Sequence, residues 1–187
     1  MIVEPFEAPP LILPEDPDRP KGLHVSQIYT RILQEVDTRY KKQTAMPWLK
    51  IAGGLALERQ IEKVIHHILP GTSFRPNAIQ KDGIWVMPDH VVMDPWRGRE
   101  FKMTWYSMKK DCPWDDVYWV WRVQMMAYAY VLETLMYELW VLFVNGYYPW
   151  GAPAPVLQAY MLTFTEQELQ ENWHMLVQHA KLWGWLP

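Results

Sequence analysis

A chain of 187 residues, half of them hydrophobic and 21% charged, has the composition of a globular protein with one sizeable core. A formal net charge of −3 excludes a broad basic field, so nucleic acid would have to be met by a local patch, with cations offsetting nearby acids. The single cysteine, Cys112, excludes an intrachain disulfide and any cysteine-rich zinc or iron–sulfur site.

The lone cysteine fits a reducing cytoplasm. No apolar run approaches the roughly 20 residues that a membrane helix needs, so no membrane partner is expected. Residues 1–22 carry Pro5, Pro9, Pro10, Pro14, Pro17 and Pro20. They read as an extended arm, either a surface-packed leader or a subunit contact. Residues 23–187 read as a single domain.

The first helix is predicted from Ser26, a good N-cap residue, to about Tyr40, with Ile28, Ile32, Leu33 and Val36 as its apolar stripe. A second helix is predicted over about 55–69, closed by Pro70-Gly71, with Ile61, Val64, Ile65 and Ile68 inward. Strands follow at about 73–80, 84–93 and 99–105. Asp82-Gly83 marks a tight hairpin, and residues 94–98 form a second turn. A third helix over 117–137 is apolar on most sides and should be deeply buried. Strands at 138–144 and 156–164 flank a loop, and Thr165 with Glu168 makes a capping box for a last helix over 166–182. The fold class is α/β, a mixed sheet flanked by helices.

The run 100-EFKMTW-105 alternates across a strand. Phe101, Met103 and Trp105 are expected to face the core, with Glu100, Lys102 and Thr104 on the other side. Taken alone this is an ordinary half-buried strand, but three further features point to chemistry. Pro88 cannot donate to a sheet ladder, so Asp89 should stand at an irregular spot close to the hairpin partner that carries Glu100. Two carboxylates held together repel unless a cation lies between them, and their hard oxygens suit Mg²⁺ or Mn²⁺. Glu58 lines up with Ile61, Ile65 and Leu69 on the second helix, where a carboxylate needs either a metal or a buried arginine. Gln124 lies on the buried face of the third helix, four residues before Tyr128, and an amide there needs partners.

The pattern Glu58, Pro88-Asp89, Glu100-x-Lys102 resembles the PD-(D/E)XK nuclease superfamily. Gln124-x-x-x-Tyr128 and 54-GLALE-58 are similar to its RecB-like, lambda-exonuclease-like branch. The resemblance covers roughly residues 50–145 and implies a restriction-endonuclease-like α-β-β-β-α-β core. It implies that Asp89 and Glu100 bind metal directly, joined by the backbone carbonyl of Phe101. Glu58 would contribute directly or through water, Lys102 would be the catalytic lysine, and Gln124 and Tyr128 would support it. One or two Mg²⁺ or Mn²⁺ ions are implied. The iron–sulfur cluster of some relatives is not, since one cysteine cannot hold it.

The implied activity is metal-dependent hydrolysis of DNA phosphodiester bonds by an exonuclease in recombination or end processing, acting on a duplex or a single-stranded end. The alternatives are a structure- or sequence-selective endonuclease with the same centre, and a nuclease-fold DNA-binding or assembly protein without activity. Lys109, Lys110, Arg97, Lys41 and Lys42 are candidate phosphate contacts, and Trp114, Tyr148 and Trp150 could stack on bases. A homo-oligomer is compatible with the sequence. So is a phage origin, which would place the chain in the host cytoplasm.

Overall fold

A computed structural model describes residues 19–37, 56, 59–64, 67, 70–104, 118–144 and 155–187. The first 18 residues of the expected arm lie outside them, as do Glu58, Lys41, Lys42, Lys109, Lys110, Trp114, Tyr148 and Trp150. The elements are β1 (Leu23–His24), α1 (Val25–Val36), β2 (Ser73–Phe74), β3 (Ile79–Lys81), β4 (Ile84–Val86), β5 (His90–Met93), β6 (Trp96–Thr104), α2 (Trp119–Val131), β7 (Met136–Phe143), β8 (Val156–Thr163) and α3 (Glu166–Leu182). Residues 59–64 are also helical.

The strands form two sheets, one ordered β1-β4-β3 and one ordered β2-β5-β6-β7-β8. In the larger sheet only β6 and β7 run parallel. Parallel neighbours need a crossover, and α2 supplies it, packing on both strands and against α1 and α3. Prolines explain why two predicted strands are each divided between sheets. Pro76 separates β2 from β3, and Pro88, buried between β4 and β5, ends one sheet where the other begins. Asp82 and Gly83 both have positive φ, at 50° and 79°, as the predicted two-residue hairpin requires. The second turn is shorter than expected: Met93 pairs with Trp96, so Asp94 and Pro95 alone make it.

Two helices differ from expectation. The first starts at Val25 rather than after Ser26, because β1 pairs with β4 through His24 and Gln27 Oε1 accepts the His24 N–H at 2.7 Å. The third stops at Val131, because Glu133 turns left-handed, with φ at 54°. Trp96 Nε1 then donates to the Leu132 carbonyl at 2.9 Å, and Leu135 is left exposed instead of sharing the buried helix face. In the helical stretch at 59–64, Val64 is 54% exposed, so the predicted inward stripe does not include it. The last helix is capped as its sequence indicates, with Thr165 Oγ1 accepting from Glu168 N at 3.2 Å. No described helix is long and apolar enough to cross a membrane.

Cross-strand partners share a sheet face. Gly98, Glu100, Lys102 and Thr104 of β6 stand beside Tyr137, Leu139, Val141 and Phe143 of β7, all four of which are buried. This face carries the helical core. The expected arrangement, with Phe101 inward and Glu100 on the opposite side from the core, is therefore corrected: both faces are covered, and Glu100 is 2% exposed. The parallel register with a strand as apolar as β7 forces this, since strands in such pairings are buried on both sides.

Candidate active site

Asp89 follows buried Pro88 and stands outside any ladder, at the start of β5. Its Oδ2 accepts the backbone N–H of Phe101 at 2.7 Å. The carboxylate is thus fixed against the peptide that follows Glu100. Glu100 Oε1 accepts hydrogen bonds from the Lys102 ammonium and from Gln124 Nε2, the latter at 2.9 Å. Gln124 Nε2 also donates to the Tyr128 hydroxyl at 3.0 Å, and Gln124 Oε1 lies 3.5 Å from the Tyr29 hydroxyl. The structure therefore brings Asp89, Glu100, Lys102, Gln124 and Tyr128 together at the junction of β5, β6 and α2.

The charges of the site act on one another. Burial alone would lower the Lys102 pKa, but the Glu100 carboxylate, and after it Asp89, outweighs burial and raises it above the ordinary lysine value. The neighbours of Lys102 therefore favour its ammonium form. It can hold positive charge beside the acids. The Tyr128 phenol is pushed well up, first by burial and then by Glu100. Tyr29 is raised by burial, with Lys102 opposing and Glu100 reinforcing the shift. In both residues the protonated phenol is favoured.

Among the described residues no three His, Cys, Asp or Glu side chains form a group suited to a metal ion. The acids present are Asp89 and Glu100, and Glu58, the third acid expected from the sequence, lies outside those residues.

No protein-family model and no curated protein matches the sequence. Solved structures do resemble the fold. A phage-related exonuclease from Haemophilus somnus 129PT superposes with a TM-score of 0.54 at 11% identity, over 85% of this chain and 79% of that one. The alkaline exonuclease LHK-Exo from Laribacter hongkongensis gives 0.55 at 11% identity, over 87% of this chain and 88% of that one. The same enzyme in complex with dAMP gives 0.57 over the same shares. The chain shares the fold of these exonuclease structures.

Within this fold, Arg97 does not reach the acid site. It lies on the opposite face of β6, where its Nε donates to Glu138 Oε1 at 2.5 Å and its Nη1 to the Pro95 carbonyl at 2.8 Å. Alternation along the strand turns it away from Glu100, and Glu138 and the Pro95 carbonyl hold its guanidinium. Arg99 shares Glu138 from the same face, at 2.6 Å, and Trp140 Nε1 donates to that carboxylate at 2.9 Å. Glu62 from the helical stretch meets His90 there at 2.9 Å.

Two tyrosines near these side chains, Tyr29 beside Gln124 and Tyr137 on the Glu100 face of the sheet, were not singled out from sequence. Tyr29 has a weak signal, since it precedes Leu33 and Val36 at i+4 and i+7, on the edge of the apolar stripe of α1. Tyr137 has none, because the sequence reads it as the last residue of the predicted third helix, whereas the structure puts it in β7.

Proposed function

We propose that this chain is a metal-dependent deoxyribonuclease, an exonuclease that hydrolyses phosphodiester bonds at DNA ends in recombination or end processing. The observation that carries this reading is the convergence of Lys102 and Gln124 on Glu100, with Asp89 bound to the very next peptide. A binding or assembly module has no use for a buried carboxylate held beside a lysine in this way. The exonuclease neighbours support action at ends rather than within duplexes, and the dAMP complex of one of them supports a nucleotide ligand.

The residues fit a divalent ion. Asp89 and Glu100 offer carboxylate oxygens, and the Phe101 carbonyl would complete a set of hard donors suited to Mg²⁺ or Mn²⁺. Glu100 already bears a cation in the form of the Lys102 ammonium. Glu58 would add a third acid, directly or through water. When bound, the ion supplies a water of lowered pKa and neutralises charge that develops on the phosphate.

The chain's own groups do the rest. The Lys102 ammonium stands beside the acids and stabilises negative charge on the phosphoryl oxygens as the water oxygen bonds to phosphorus and the bond to the leaving oxygen breaks. Gln124 holds the Glu100 carboxylate in place, and Tyr128 holds Gln124. Digestion of end-labelled linear, closed circular and single-stranded DNA with Mg²⁺ or Mn²⁺ tests the reading. Loss of label from linear DNA with closed circles intact is the expected pattern, and cleaved circles would indicate an endonuclease.

A further inference from the structure

Tyr137 is wholly buried, at 0% exposure, yet no described residue makes a hydrogen bond with its hydroxyl. A buried phenol normally finds a partner, and a phenylalanine would fill the same space without giving up hydration. The backbone has been cleared to seat this ring. Tyr137 lies directly across from Gly98, two residues before Glu100 and on the same face of the sheet. A Cβ added at Gly98 would stand 2.0 Å from the ring's Cε2 and 2.5 Å from its Cζ. The hydroxyl-bearing end of the ring therefore lies over β6, the strand that carries Glu100 and Lys102.

Burial raises the phenol's pKa, and the charges of Glu100 and Asp89 raise it further, so the hydroxyl keeps its proton throughout the neutral range. Glu100 follows Gly98 by two residues on the face of β6 that the Tyr137 ring covers, and the hydroxyl makes no direct hydrogen bond with its carboxylate. A buried hydroxyl without a protein partner is the kind of group that an ordered water satisfies.

We propose that Tyr137 is a positioning residue of the acid site: its hydroxyl donates to a water molecule shared with the Asp89 and Glu100 carboxylates, and so fixes the orientation of that pair. The kinetic consequence rests on the nuclease reading, whereas the hydrogen bond itself does not.

Tyr137→Phe removes one oxygen and keeps the ring, so the variant should fold with a Tm equal to or above that of the wild type. High-resolution crystal structures of the full chain and of the variant decide the hydrogen bond. The expected result is an ordered water within bonding distance of Tyr137 Oη and of Asp89 or Glu100, displaced in the variant. In steady-state cleavage of linear DNA, kcat should fall about 10-fold with KM unchanged, the scale typical of groups that orient metal ligands. A merely packed tyrosine would move neither quantity. A bare Tyr137 hydroxyl in the wild-type crystal, or a Tyr137→Phe variant with wild-type kcat, overturns the proposal. If the wild type cleaves no DNA, the nuclease reading fails on its own, and the crystal structures still decide the role of Tyr137.

Discussion

The Asp89 carboxylate accepts its hydrogen bond from the backbone N–H of Phe101, the residue between Glu100 and Lys102 on β6. The acid at the start of β5 is thereby set at a fixed position relative to both Glu100 and Lys102. Asp89 has two duties, as a negative charge and as an acceptor for a main-chain donor.

These duties can be separated. Asp89→Asn keeps an acceptor and loses the charge, so its Tm should stay near that of the wild type while cleavage falls by ~10² or more, as expected when a charge that stabilises the transition state is lost. Asp89→Ala also strands the Phe101 N–H and should lose a further ~1–2 kcal/mol of stability. Thermal unfolding and single-turnover cleavage of both variants check this. An Asn variant that cleaves like wild type would remove Asp89 from the site.

Lys102→Ala should slow single-turnover cleavage by ~10²–10³. Mn²⁺ should bind this variant more tightly, because the ammonium that now occupies Glu100 is gone. Lys102→Arg should not restore the rate, since the planar guanidinium cannot reproduce a compact ammonium. Calorimetric titration with Mn²⁺ alongside the kinetics separates the two effects, and unchanged rates in the Ala variant would make Lys102 an ordinary strand residue.

Glu138 governs acid stability from the other face of the sheet. Burial would raise its pKa, but hydrogen bonds from Arg99, Trp140 and Arg97 prevail and hold it below the ordinary glutamate value of 4.5. A lowered folded-state pKa means a contribution to stability that is present above about pH 4.5 and is lost as pH falls through the folded value. Glu138→Gln should destabilise the protein by about 3 kcal/mol at neutral pH, because two arginines lose their counter-charge. Its Tm should also fall less than that of the wild type between pH 6 and pH 3. Equal slopes in the two proteins would argue against this cluster as an acid-sensitive element.

Gly98→Ala should cost about 3 kcal/mol, the upper range for overpacking, since its Cβ would enter the Tyr137 ring. A denaturant midpoint equal to that of wild type would show that the ring can move aside.

Much of this arrangement was legible in the sequence, because local chemistry set it. Pro88 broke the strand where Asp89 was needed, Asp82-Gly83 turned the hairpin, and Thr165 with Glu168 started the last helix. The spacing of Gln124 and Tyr128 put both on the buried side of α2. What was not legible depends on long-range pairing. Alternation along β6 separated Glu100 from Phe101, but only the register with β7 decides that the Glu100 side is the helical core. The same pairing sends Arg97 to Glu138 and away from the acids. Tyr137 could not be told from its apolar neighbours without knowing that Gly98 lies opposite.

We propose that Asp89, Glu100 and Lys102 form a metal-dependent centre that cleaves DNA from its ends. The most direct measurement is the release of nucleotides from end-labelled linear duplex DNA by wild type and Glu100→Gln, with Mg²⁺ and with EDTA. We expect release by the wild type with Mg²⁺ only, and none by Glu100→Gln under either condition. Release in EDTA, or by Glu100→Gln at the wild-type rate, would contradict the account.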